Sequence, residues 1–200
     1  MLSYRSGIAL CVIVAAASGA SAAPLNLTLG LPDAASLFLN ANYNAASDQL
    51  SVTGPALSLE VNGVGGPDYS ISGGSLSILA TIDGAGVLQP GGTLTIAGSI
   101  AALSAGSPLI TASLTDFGFS GAPLTQIFEF RASVTGGSIG GMFGSQIGVI
   151  LNLGGGFAGS FANNFANSGT GTADTASIPA PGALATLAGL GVLGARRRRR

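Results

Sequence analysis

Short runs of alternating apolar and polar residues recur along most of this chain. Leu25, Leu27, Leu29 and Leu31 alternate with Asn26, Thr28 and Gly30; Leu50 and Val52 alternate with Ser51 and Thr53; Leu57, Leu59 and Val61 alternate with Ser58, Glu60 and Asn62. The pattern returns at Leu94, Ile96 and Ile100, and at Phe128, Phe130 and Val134. A period of two sends successive side chains to opposite faces of a strand, so each run predicts a strand with one wet and one dry face. Turn-forming clusters separate the runs, at 63–68, Gly73-Gly74, 83–86, 89–92, 121–123 and Gly136-Gly137. Several short strands at this spacing predict an all-β chain, folded as a single antiparallel β-sandwich or barrel-like domain. Only 31–39 offers a turn or two of helix. Gly73-Gly74-Ser75-Leu76-Ser77-Ile78 is echoed by Gly91-Gly92-Thr93-Leu94-Thr95-Ile96, which predicts two adjacent strands. The echo lacks the Gly and Asp of a calcium-binding nonapeptide repeat.

Phe157, Phe161 and Phe165 recur every fourth residue. The glycines and asparagines between them are poor helix formers, so the spacing predicts a strand with its aromatics turned inward. The alternative is a platform on which sugars stack. Residues 167–177 are small and polar, the composition of a flexible spacer.

The two ends break the pattern. Arg5 precedes an apolar run over 7–17, and small residues follow, among them Ala20-Ser21-Ala22. This is the layout of a secretory signal peptide with an A-x-A cleavage site, cut after Ala22. At the other end Pro179-Ala180-Pro181 leads into an apolar run over 183–195, and Arg196, Arg197, Arg198, Arg199 and Arg200 close the chain. Thirteen apolar residues make a helix of roughly 20 Å, against about 30 Å of bilayer core. The run is therefore a marginal transmembrane helix, lengthened by 178–182. Its arginines hold the C-terminus on the cytoplasmic side and the body outside.

A Pro-x-Pro motif, an apolar helix and a terminal arginine cluster resemble the PEP-CTERM sorting signal of Gram-negative bacteria. The resemblance covers 178–200. It implies export with the leader removed by signal peptidase, then recognition of Pro179, Ala180 and Pro181 by an exosortase, a membrane-embedded cysteine transpeptidase that cuts nearby. Ala180 stands where the family usually has Glu. The implied setting is the cell surface or the extracellular polysaccharide matrix of biofilms and flocs, with exopolysaccharide as a partner and the membrane contacted through the C-terminal helix, permanently or in passing. The chain then divides into a signal peptide (1–22), an all-β domain (23–166), a spacer (167–177) and the sorting signal (178–200).

Composition narrows the chemistry. The whole chain carries a formal charge of −1, but six of its seven basic residues lie in the ends. The body keeps Arg131 against Asp33, Asp48, Glu60, Asp68, Asp83, Asp116, Glu129 and Asp174, a net of −7. Such a body offers no phosphate-binding surface, and no nucleic-acid partner is expected. The chain has no histidine and no lysine, and Cys11, its one cysteine, lies in the leader. Histidine triads, Schiff bases, phosphate-loop lysines and His-ligated zinc are thereby excluded. No cofactor, metal site or catalytic residue is assigned. Two carboxylates could run glycoside hydrolysis, but the acids are scattered singly in the sequence. Glu129 and Arg131 share a strand face at i, i+2 and read as a solvated surface pair. The expectation is an exported, non-enzymatic surface or matrix protein, structural or adhesive in biofilm exopolysaccharide. The alternatives are a secreted glycan- or ligand-binding β-module, which needs exposed aromatics such as Tyr43, Tyr69 or the phenylalanine set, and a divergent carboxylate-based hydrolase.

Overall fold

A computed structural model describes residues 23–179, apart from 64, 65, 67, 123 and 124. The expected signal peptide and the expected transmembrane helix, with Ala20, Ala22, Ala180, Pro181 and Arg196, Arg197, Arg198, Arg199 and Arg200, lie outside the described residues.

The strands are β1 (Asp33–Asn44), β2 (Gln49–Gly54), β3 (Ala56–Glu60), β4 (Asp68–Ser70), β5 (Ser72–Thr81), β6 (Thr93–Ser99), β7 (Ile110–Ala122), β8 (Thr125–Gly136), β9 (Gln146–Asn152), β10 (Phe165–Ala166) and β11 (Gly171–Ser177). All pairings are antiparallel, and β11 pairs with both β9 and β1, which closes the sheet into an eight-stranded barrel. β3 continues the line of β2 beyond Pro55, and β4 leads through Ile71 into β5. Of the two architectures left open by the pattern, the chain adopts the barrel. The echoed segments are neighbours as expected, with Leu76 opposite Ile96 and Ile78 opposite Leu94.

The alternation carries the fold because a closed barrel has one dry face, its interior. Leu50, Val52, Ile78, Leu94, Ile96, Phe128, Phe130, Val149 and Leu151 all point inward and are buried. Apolar side chains inside and hydroxyls outside are the reverse of the polarity with which a barrel faces lipid. One end of the interior is filled by rings: Phe161 packs edge-on against Tyr43 at 4.9 Å between centroids, and meets Phe119 at 5.2 Å and Phe157 at 5.0 Å.

Four expectations are corrected. Residues 31–39 form no helix; they open β1, where Pro32 and the register with β3 and β11 impose an extended chain. Residues 25–31 form no strand, and Asn26 turns into the left-handed region at φ 51°. The stretch carrying Phe157 and Phe161 is a loop plugging the barrel end; its aromatics are inward as expected, but only Phe165 and Ala166 pair as a strand. Residues 167–177 are no flexible spacer: they contain β11, which closes the barrel and carries the domain to Ser177. Small residues suit that strand, because Gly171, Ala173 and Thr175 face an interior already occupied by bulky side chains from the other strands.

Candidate functional site

Residues 23–30 cross the outside of the barrel as a strap over β7, β8 and β9. The wall is cut away beneath them. A Cβ on Gly118 would collide with the Ala23 carbonyl oxygen, and one on Gly148 would lie 2.7 Å from Leu29 Cδ2 and 3.1 Å from Leu27 Cδ1. Between these glycines stands Glu129. Its Oε2 accepts the Asn26 N–H and its Oε1 the Leu27 N–H, both at 2.9 Å. The carboxylate is buried and grips backbone rather than facing water, which corrects the solvated-pair reading. Its expected partner Arg131 instead reaches Asp116 on β7, at 3.4 Å and half exposed. The leucine period of the strap is genuine, but it serves to cover glycines instead of building a sheet.

The strap and the C-terminal end of the barrel meet at one seam. The Gly30 N–H donates to the Ser177 carbonyl at 2.9 Å, the Ser177 hydroxyl to the Leu31 carbonyl at 2.6 Å, and the Ile178 N–H to the Gln146 carbonyl at 3.3 Å. Pro179, which opens the Pro-Ala-Pro segment, follows directly, with its Cγ 3.5 Å from the Cβ position of Gly30. No linker separates Pro179 from the barrel wall.

Three carboxylates that sequence spacing keeps apart come together beside this seam. Glu60 lies opposite Asp33 across β3 and β1, and Asp174 on β11 lies opposite Ala35. Burial, then the charges of Asp174 and Glu60, push the Asp33 carboxyl up to about 6. Of the three, it is Asp33 whose proton is held toward neutrality. The trio lies on a convex barrel wall, and among the described residues no group of acids is arranged to hold a metal ion.

The aromatics proposed as a sugar platform are placed otherwise. Tyr43, Phe157, Phe161 and Phe165 belong to the core, and Tyr69 is half-buried against it. The Tyr43 hydroxyl donates to the Ile82 carbonyl at 2.7 Å, and burial with the neighbouring Asp48 pushes its pKa up to about 12. A groove of about 300 Å³ beside it is lined by Asn42, Asn44, Asn164 and Ala166. The Asn164 side chain is already engaged by the Ala45 N–H, and that of Asn44 by the Ala46 N–H. At the same end, Asn167 accepts from the Ala41 N–H and donates to the Leu153 carbonyl, stapling the plug to the wall. Among the described residues no helix is long and apolar enough to cross a membrane.

Comparison with family models, with curated proteins and with solved structures found no match to this chain.

Proposed function

We propose that this chain is an exported, non-enzymatic bacterial surface or matrix protein, delivered by an N-terminal leader and processed by an exosortase-type system at Pro179, Ala180 and Pro181. Its role is structural or adhesive, within or beside exopolysaccharide. One observation carries the reading: a Pro-x-Pro motif, a marginal apolar span and five terminal arginines follow the closing strand of the domain in unbroken order. Two features support it. The body presents hydroxyl and amide groups with few charges, and its large aromatics other than Phe38 serve the core. The described chain also runs out through Ile178 and Pro179 at the seam, so an anchor at the C-terminus would hold the barrel by that seam.

The test replaces Pro179 and Pro181 together by Ala, and separately replaces the five arginines by Asn, in the native host. The chain is then followed by cell fractionation. The reading expects both variants to accumulate in the inner membrane with the tail uncut, while the parent reaches the surface or the medium. Unchanged distribution of both variants would refute it.

A further inference from the structure

The register of the barrel builds a pattern that no single segment reveals. Asn40, Thr53, Ser77, Thr95 and Thr111 lie directly opposite one another across β1, β2, β5, β6 and β7. Thr135 on β8 extends the row, donating its hydroxyl to Thr111 at 3.2 Å. A second row runs beside it through Ser51, Thr93, Ser113 and Ser133, interrupted at β5 by Leu79. Each of β2, β6, β7 and β8 thus presents a pair of hydroxyls on its outer face, and β5 presents Ser75 and Ser77. Among the described residues, no hydroxyl of the two rows other than the Thr111–Thr135 pair is hydrogen-bonded to protein.

The same wall is cleared of charge. β2, β5 and β6 contain no ionisable residue. The nearest ions on β7 and β8 are Asp116 and Arg131, paired with each other at the margin, and Glu129, which lies under the strap. The remaining carboxylates sit at the seam, on β4 or in the connections. Threonine and serine suit exposed strand positions in general. That preference does not account for aligned rows across five strands from which charge is absent.

We propose that these rows are a binding surface for a neutral polysaccharide chain lying across the strands. Neighbouring strands are about 4.8 Å apart, close to the length of one pyranose unit, so a chain following a row meets about one protein hydroxyl per sugar. Hydroxyls both donate and accept, as sugar hydroxyls do. An uncharged surface selects neither anionic polymers nor nucleic acid, and Leu79, 47 % exposed, offers an apolar contact for the C–H face of a ring. The wall of a closed barrel is convex. A flexible chain can follow the row, whereas a flat lattice touches only two or three strands. The inference rests on the matrix reading and deepens it by naming the matrix component.

The test is native affinity electrophoresis of the full chain, in a mild non-ionic detergent, through gels containing dextran, hydroxyethyl cellulose or mixed-linkage β-glucan. At least one of these polymers retards the chain, and added salt leaves the retardation unchanged, since no ion pair is involved. The triple variant T53V/T95V/T111V weakens binding about tenfold or more and keeps the parent's unfolding midpoint. Thr172→Val, on the far wall, binds as the parent does. Retardation by none of the polymers, a triple variant that binds like the parent, retardation abolished by salt, or binding to crystalline cellulose alone would each overturn the proposal. The assay does not depend on export: a chain that binds but stays in the cytoplasm sinks the matrix reading alone.

Discussion

Replacing Glu129 with Ala removes the clamp on the strap and leaves the barrel intact. Two N–H groups, those of Asn26 and Leu27, lose charged acceptors that sit at 2.9 Å. A hydrogen bond to a charged group contributes about 1.5–3 kcal/mol when buried. Water can reach the strap and satisfy the freed N–H groups, which places the combined loss near the lower end, about 2–4 kcal/mol. No unpaired charge is left behind, because the carboxylate itself is removed. The loss falls on the local opening of 23–30, since β8 keeps its ladders to β7 and β9. At 1.4 kcal/mol per factor of ten, amide exchange at Asn26 and Leu27 accelerates by roughly 30-fold or more, while Phe128 and Val149 exchange as before. Glu129→Gln, which keeps one acceptor oxygen without the charge, falls between. Hydrogen exchange read by NMR on the ¹⁵N-labelled chain separates these cases. Unchanged protection at Asn26 and Leu27 would refute the clamp, and equal acceleration throughout the barrel would refute its local character.

Asp33→Asn tests the seam. The folded-state carboxyl titrates near 6, above its ordinary 3.8, so the stability linked to its protonation is fully present below about pH 3.8 and lost as pH rises through about 6. The variant escapes that loss: it is more stable than the parent at pH 7–8 by about 1–2 kcal/mol, discounted from about 3 for partial exposure, and the gap closes below pH 4 in urea titrations across pH. Phe161→Ala empties the centre of the aromatic plug and costs about 3–5 kcal/mol, a fall in unfolding midpoint of roughly 6–20 °C by calorimetry. Inserting a Gly-Ser linker of about ten residues after Ile178 moves the proposed sorting motif off the wall by a flexible spacer; pulse-chase labelling in the native host then shows faster tail removal, and an unchanged rate would mean the wall does not obstruct processing.

The alternation made most of the barrel legible, because each inward residue of β2, β6 and β8 answers the same dry interior. It failed where closure set the terms. β11 is small and polar, so its composition reads as spacer; only its neighbours in the closed barrel, Leu39 pressed against Gly171 among them, explain why its inner positions must be small. The strap repeats the strand period, yet nothing in Leu25, Leu27 and Leu29 tells that they will lie on Gly118 and Gly148. β1 bulges between Ser36 and Leu39, leaving Leu37 and Phe38 exposed. Leu57 turns outward too, although its period matches that of Leu59. Glu129 shows the limit most clearly: as a lone acid in an alternating strand it looks solvated, and its role depends on a segment 102 residues away. The hydroxyl rows were beyond reach for the same reason, since their alignment is a property of register. The expectations for the two ends rest on the sequence alone.

The most direct measurement of the central claim is the intact mass of the chain recovered from each fraction of its native host. The account predicts a surface or extracellular product that begins at Ala23 and has lost Arg196, Arg197, Arg198, Arg199 and Arg200. A full-length chain that keeps those five arginines and resides in the cytoplasm would contradict it.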